Sequence, residues 1–206
     1  MKVRRFAGQF QLPTMALALL SVGPLPALAQ DGHSHTPTPQ SSELTADQKV
    51  KSSALLKTVR DSTERFKNVE VVESEGYELQ FGCVSGDSAG AMGLHYVNLT
   101  LLDKVNQSGV IDVYHPQIVI YEPTADGRLR LTGADYLVYA DAWDAANPGN
   151  PPQLMGQLFH LFDHPNRFGL PAFYSLHVWA WKDNPNGAFV NWHPNVSCEQ
   201  FSGKDD

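Results

Sequence analysis

The stretch FYSLHVWAW, residues 173–181, alternates between two kinds of side chain, as a β-strand with two different faces does. One alternating set is mostly aliphatic, and we expect that face to receive a helix. The other set is aromatic and polar, and we expect it to form a hollow with His177 at its centre. The first set is Tyr174, Leu176, Val178 and Ala180, and the second is Phe173, Ser175, His177, Trp179 and Trp181.

Four segments upstream share this branched and aromatic composition and are separated by glycine, proline or asparagine, which predicts four more strands. Asp126 and Gly127 supply the residues of a tight turn, so the strands on either side should be antiparallel neighbours. Residues 145–171 are rich in proline and glycine, and we expect a long ordered loop with one turn of helix there. The four segments are 77–81, 94–99, 117–122 and 129–140.

The segment before these strands is predicted to be helical. Thr45 and Gln48 have the spacing of a capping box, and apolar residues follow at helical intervals, which predicts a helix over 46–67. Asn68 can cap a second short helix, which Gly76 would end. We therefore predict an α+β domain: an N-terminal helix pair packed on a twisted, mainly antiparallel β-sheet. The apolar residues of the first helix are Leu55, Val59 and Phe66.

The N-terminal region has the features of an export signal. Basic residues precede an apolar run over 15–22, and an Ala-Leu-Ala sequence ends at Ala29. This predicts a signal peptide over 1–29, cleaved near Ala29, and a secreted or periplasmic protein. Residues 30–43 are polar and proline-rich, so we expect a disordered leader, followed by a single α+β domain over 44–206.

The charge of the exported chain excludes some classes of partner. The signal peptide removes three of the 15 basic side chains and none of the 22 acidic ones, which leaves a net charge of about −10. We therefore expect no nucleic-acid partner. In addition, no segment after the signal is long and apolar enough to span a membrane.

The two cysteines predict a disulfide. Cys83 and Cys198 should pair in an oxidising compartment, and two free buried thiols are the alternative.

Two motifs indicate chemistry only at first sight. GDSAGAMGLHY, residues 86–96, contains the G-x-S-x-G pattern around Ser88, but a nucleophile elbow needs a helix directly after the serine. We therefore expect a turn, with His95 as the better functional candidate. His160 and His164 have the spacing of zinc ligands on a helix, but Leu161 replaces the glutamate of that motif and Pro165 would end the helix, so we expect an ordinary pair of loop histidines.

The other histidines outside the predicted strands suggest little. His33 and His35 could bind a metal ion loosely, but a flexible tract of this kind is more often a linker. His193 follows a turn near the predicted disulfide. We expect it on the surface rather than among metal ligands.

Four polar residues on separate predicted strands are the candidate site. His95, Glu122, Asp135 and His177 could converge and hold one divalent metal ion, such as Zn, Fe, Cu or Mn, with open positions. Alternatively, they could act as an acid and base pair on a small-molecule ligand. In a third interpretation each is satisfied separately, with Glu122 paired to Arg128 or Arg130. A small-molecule ligand bound at this site would contact Trp179, Trp181 and Tyr136.

Six motifs in the run 76–198 resemble a family of exported bacterial proteins with no established activity. The resemblance implies a single secreted domain and assigns no catalytic residue. The motifs are GYELQFGCVSG, GAMGLHYVN, QIVIYEP, RLRLTGADY, LPAFYSLHVWAWKDNPNGAF and NVSC.

Two functions from different classes follow. The first is a secreted or periplasmic protein with a polar, aromatic-lined pocket for a divalent metal or a small ligand. The second is a non-catalytic envelope protein that binds a partner or an apolar ligand through its aromatic sheet face. The sequence leaves open whether the protein is an enzyme.

Overall fold

A computed structural model of the protein describes residues 44–86 and 88–203, and the predicted signal peptide and leader lie outside these residues. The α+β class is confirmed, because helices pack on a curled antiparallel sheet. Among the described residues, no helix has both the length and the apolar composition that crossing a bilayer requires. The helices are α1 (Ala46–Thr63), α2 (Val69–Ser74), α3 (Leu99–Ser108) and α4 (Ala140–Ala146).

The N-terminal helices begin where the caps predict. The Thr45 side chain accepts a hydrogen bond from the backbone nitrogen of Gln48, whose own side chain accepts one from the Thr45 nitrogen. Helix α1 continues into a 3-10 turn, Glu64–Lys67, so the predicted helix over 46–67 is confirmed with a tighter last turn. The side chain of Asn68 then caps α2.

The main sheet has six strands in the order β1-β2-β3-β4-β8-β7, and all neighbours are antiparallel. The hairpin predicted at Asp126 and Gly127 joins β3 to β4. Strands β5 and β6 form a separate pair. The strands are β1 (Glu78–Gly86), β2 (Gly90–Val97), β3 (Ile118–Pro123), β4 (Leu129–Tyr139), β5 (Gln153–Leu154), β6 (Gln157–Leu158), β7 (His160–Phe162) and β8 (Phe173–Val178).

The predicted turn of helix within residues 145–171 is wrong. This segment forms the short strands β5, β6 and β7, and the one helix nearby, α4, ends at Ala146. Met155 and Gly156, which separate β5 from β6, have φ angles of 48° and 83°. Two successive positive φ angles are typical of a two-residue hairpin turn and incompatible with a right-handed helix.

The aliphatic face of β8 receives α1, as its alternation predicts. Leu55 and Val59 of the helix pack against Leu176 and Val178 of the strand, and all four side chains are fully buried. At about 25 cal/mol per Å² of apolar surface, each fully buried side chain of this kind contributes roughly 1.5–3 kcal/mol to folding. This packing directs the opposite face of β8 away from the helix.

The predicted disulfide between Cys83 and Cys198 is confirmed. It joins β1 to the C-terminal tail across a sequence separation of 115 residues. The tail is also tied to β2, because Ala91 and His193 exchange two backbone hydrogen bonds. The tail therefore covers one end of the sheet.

Strand β1 contains a bulge immediately before the disulfide. The register with β2 shifts between Gln80 and Cys83, and the two residues between them, Phe81 and Gly82, have φ angles of 62° and 60°. A positive φ angle is ordinary for glycine, whereas for an aromatic residue it costs roughly 1–3 kcal/mol. Bulges of this kind re-aim a side chain and are frequent beside functional sites.

Candidate metal centre

Three of the four predicted polar residues converge on one face of the sheet. Asp135 of β4 and His177 of β8 are directly paired across neighbouring strands. Asp135 also pairs with Ile118 of β3, which pairs in turn with Val97 of β2. His95 lies two residues before Val97 and so shares its face. One potential ligand atom from each of the three side chains lies within 4.8 Å of the others, so this group could hold a metal ion.

The three side chains are deeply buried, with His95, Asp135 and His177 only 6%, 3% and 2% exposed. Burial disfavours the charged form of each group. It lowers the pKa of His95 to about 4 and that of His177 to about 3, and it raises the pKa of Asp135 to about 6. At neutral pH both imidazoles are therefore neutral and able to act as ligands.

The backbone next to His95 fixes its tautomer. Its Nδ1 atom lies 3.1 Å from the carbonyl oxygen of Gly93, so Nδ1 must carry the hydrogen and Nε2 presents a lone pair. Gly93 itself has a φ angle of 95°, and a Cβ atom there would lie 2.4 Å from the carbonyl oxygen of Tyr121. Glycine at this position thus permits the close approach of β2 to β3 that holds the imidazole.

His177 lies between the other two groups. Its Nε2 atom is 3.3 Å from Nε2 of His95, and its Nδ1 atom is 3.3 Å from Oδ2 of Asp135. The second contact lacks the geometry of a hydrogen bond, so Nδ1 is a buried nitrogen with no hydrogen-bond partner among the described residues. One imidazole thus has a polar neighbour at each nitrogen.

Ser175 is a member of the site that sequence reasoning did not select. Its hydroxyl lies 2.7 and 2.9 Å from the two carboxylate oxygens of Asp135, to which it donates its hydrogen. This hydrogen bond lowers the pKa of Asp135, against the larger effect of burial. The sequence signal that could identify Ser175 is its position two residues before His177, which places it on the same face of the strand.

Glu122, predicted as a fourth ligand, is not part of this group. Asp135 pairs with Ile118, four residues before Glu122, which places the glutamate roughly 13 Å further along β3. Its carboxylate instead accepts hydrogen bonds from Lys182 at 2.7 and 2.8 Å and from Arg130 at 2.8 Å. For Glu122, the alternative of a separate pairing with Arg130 describes the structure.

Only one of the three aromatic residues predicted to contact a ligand lies beside the histidines. The Trp179 ring centroid is 5.9 Å from that of His177, but Trp179 is 1% exposed and offers no free surface. Tyr136 is on the helix face, with its hydroxyl bonded to the Val113 carbonyl. Strand β8 ends at Val178, so the alternation does not extend to Trp181, whose indole nitrogen donates to Thr63 of α1.

His193 is buried, contrary to the prediction of a surface position. It is 0% exposed, because the tail folds back onto β2 and places the imidazole edge-on against Trp179, with centroids 4.9 Å apart. Its Nδ1 atom accepts a hydrogen bond from the backbone nitrogen of Asn195. It is not a member of the His95, Asp135 and His177 group.

Neither rejected motif has the structure that its catalytic or zinc-binding interpretation requires, although His160 lies on a strand rather than in the expected loop. Ser88 is exposed in the turn that joins β1 to β2, and a strand rather than a helix follows. His160 lies on β7 and His164 in the loop after it, so the pair does not share a helix face.

A small cavity of about 30 Å³ adjoins the three side chains. Its inner wall is apolar apart from the site itself. Its outer rim consists of Phe81, Phe162, Phe168 and Leu170, of which Phe81 is 44% exposed and the others are half-buried. The inner wall comprises Met92, Val97, Ile118, Leu137 and Phe173, together with His95, Asp135, Ser175 and His177.

No protein family, curated protein or solved structure matches the chain.

Proposed function

We propose that this chain is a secreted or periplasmic protein that binds one divalent metal ion through His95, His177 and Asp135. The observation that supports this most strongly is the pair of facing Nε2 atoms, 3.3 Å apart in a buried site. The disulfide supports export, because such bonds persist in oxidising compartments.

A single hydrogen on His177 cannot satisfy both of its nitrogens. If Nδ1 carries the hydrogen, the two Nε2 atoms direct lone pairs at each other. If Nε2 carries it, Nδ1 directs a lone pair at the carboxylate of Asp135. A doubly protonated ring would place a hydrogen beside each neighbour, but burial lowers the pKa of His177 to about 3, so this form is rare at neutral pH.

A cation between the two Nε2 atoms resolves both conflicts. Each lone pair would then bind the ion, and Nδ1 of His177 would carry the hydrogen. A carboxylate oxygen of Asp135 would be the third ligand, since one potential ligand atom from each of the three side chains lies within 4.8 Å of the others. The carboxylate also offsets half of the ion's charge within the low-dielectric site. Both histidine rings are already neutral, as metal binding requires.

The spacing of the nitrogens favours zinc among the metals that such ligands suit. Two nitrogens bound to a tetrahedral zinc ion at about 2.0–2.1 Å lie about 3.3–3.4 Å apart. The observed separation is 3.3 Å. With Asp135 as the third ligand, one coordination position is left for water or a substrate, as in catalytic zinc sites. Iron, copper and manganese are the other candidates.

Metal analysis of the mature chain, produced without a histidine tag, tests this proposal. We expect one equivalent of zinc after incubation with the metal and buffer exchange, and loss of that equivalent in a His95→Ala, His177→Ala variant. Glu122→Gln is the matched control: it removes a buried carboxylate outside the group and should retain the metal. A His33→Ala, His35→Ala variant measures any metal held by the leader. Wild-type protein that remains metal-free would overturn the proposal.

A further inference from the structure

We infer that the open coordination position accepts only ligands of two or three non-hydrogen atoms, and that Phe81 sets this limit. The inference rests on the proposed metal centre and identifies the class of ligand that the centre takes. Small inorganic anions and dioxygen-sized molecules belong to this class, whereas ring compounds do not.

The volume of the cavity is the first observation that supports this size limit. Its roughly 30 Å³ compares with the 10–15 Å³ that a single water molecule requires. A cavity that holds a benzene ring is on the order of 150 Å³. A ligand of two or three heavy atoms therefore fits beside the metal, and a five- or six-membered ring does not.

The rim of the cavity is a set of contacting aromatic rings. Phe81 meets Phe168 edge-on, with centroids 5.6 Å apart, and Phe162 stacks on Phe173 at 4.8 Å. Phe168 is also 6.1 Å from Phe173, so the rings form a continuous wall. Phe81 is the most exposed of them and lies between the cavity and solvent.

The backbone conformation of Phe81 is a second, independent observation that supports its role at the entrance to the site. Its positive φ angle is costly for an aromatic residue, and the register shift of the β1 bulge is what places it there. Cys83, two residues later, is anchored by the disulfide. A strained residue persists only when its surroundings hold it, and here the strain directs a ring over the entrance to the site.

The charge of the site favours anions among small ligands. Two neutral histidines, one carboxylate and a divalent ion have a net charge of +1 in a buried, apolar environment. A monoanion neutralises that charge, and a buried charge that is compensated costs far less than one that is not. Azide, a linear anion of three atoms, is therefore a suitable probe of the position.

Cobalt-substituted protein tests the size limit through the visible absorption of the bound ion. Azide is compared with tetrazolate, an anionic five-membered ring of four nitrogens and one carbon, so that ligand charge is matched and size differs. We expect azide to change the spectrum of the wild-type protein, and tetrazolate to leave it unchanged. In Phe81→Ala we expect tetrazolate to bind at least about tenfold more tightly than in wild type, with azide affinity altered less than about threefold.

Two further variants complete the test. Phe81→Gly opens the same entrance and suits the positive φ angle, so it replaces Phe81→Ala if that variant does not fold. Leu161→Ala removes an apolar side chain that is 55% exposed and does not line the cavity, so tetrazolate should remain excluded. Wild-type protein that binds cobalt and accepts tetrazolate as well as azide overturns the size limit, as does continued exclusion in both Phe81 variants. Wild-type protein that binds no cobalt overturns the metal centre itself.

Discussion

Asp135 and His177 occupy directly opposite positions on β4 and β8, and Oδ2 of the carboxylate lies 3.3 Å from Nδ1 of the imidazole. The strand register alone sets this relationship. A slip of one residue would turn His177 to the face that packs against α1 and move Leu176 into the cavity. The packing of Leu176 and Val178 against Leu55 therefore also holds the histidine in the site.

The stability of the metal-free protein should fall on acidification. The pKa values of His95 and His177 are lowered from 6.5 to about 4 and about 3, so below pH 6.5 the unfolded chain takes up protons that the folded chain does not. Asp135, with its pKa raised from 3.8 to about 6, has the opposite and smaller effect. The effect of the two histidines is larger than that of the one carboxylate, and we expect the free energy of unfolding to fall by on the order of 2 kcal/mol between pH 7 and pH 5.

Urea unfolding at a series of pH values measures this loss. A His95→Gln, His177→Gln variant should show a flatter dependence. Burial lowers the pKa of His193 as well, and in this variant its effect opposes that of Asp135, so the remaining dependence on pH should be weak. A stability that rises as the pH falls from 7 to 5 would contradict the expectation.

Removal of the Ser175 hydroxyl should weaken the metal centre without removing a ligand. In Ser175→Ala the carboxylate of Asp135 loses a buried hydrogen-bond donor, so its pKa should rise further and its orientation should be less fixed. We expect a 10–100-fold loss of zinc affinity, the usual range for groups that orient ligands. Competition with a chromophoric chelator measures it. Ser74→Ala, which removes an exposed hydroxyl on α2, is the control, and an equal effect in both variants would contradict the role.

Much of the fold and three residues of the site could be predicted because they depend on local patterns. The caps at Thr45 and Asn68 mark the helix starts, and alternation within residues 173–181 separates His177 from the helix face. Pairing register is not local, and that is why Glu122 could not be separated from Asp135. Both lie on strands and both are buried, but only their positions along the sheet show that one is in the site.

The other wrong predictions depend on where a strand ends and on which distant segment packs against a residue. The prediction for Trp181 is wrong because it continues the alternation beyond Val178, where the strand stops and the Ala180 nitrogen bonds to the Val178 carbonyl. His193 is buried because its backbone pairs with Ala91, about 100 residues earlier, and the sequence around His193 gives no indication of this pairing. The Phe81 bulge has a partial signal in the following glycine, which permits the second positive φ angle.

The buried carboxylate of Glu122 should matter for stability rather than for metal binding. Lys182 and Arg130 both donate to it, and Lys182 also donates to the carbonyl of Asn195 in the tail. We expect Lys182→Met to lower the free energy of unfolding by about 1–3 kcal/mol, less than a fully broken buried pair because Arg130 remains. Lys57→Met removes an exposed partner of Asp61 and should cost less than about 0.5 kcal/mol. Chemical unfolding of the two variants measures these losses. Equal losses of unfolding free energy would show that the buried ion pair stabilises the fold no more than an exposed one.

Loss of the disulfide should lower stability while leaving the metal centre intact. The bridge closes a loop of 115 residues, and in the chain-entropy model a loop of this length is worth about 4–5 kcal/mol. The proposed ligands lie on β2, β4 and β8, whereas the bridge joins β1 to the tail. A Cys83→Ala, Cys198→Ala variant should therefore unfold at much lower urea concentration and still bind one equivalent of zinc under native conditions. Metal loss without unfolding in that variant would show instead that the tail holds the histidines in place.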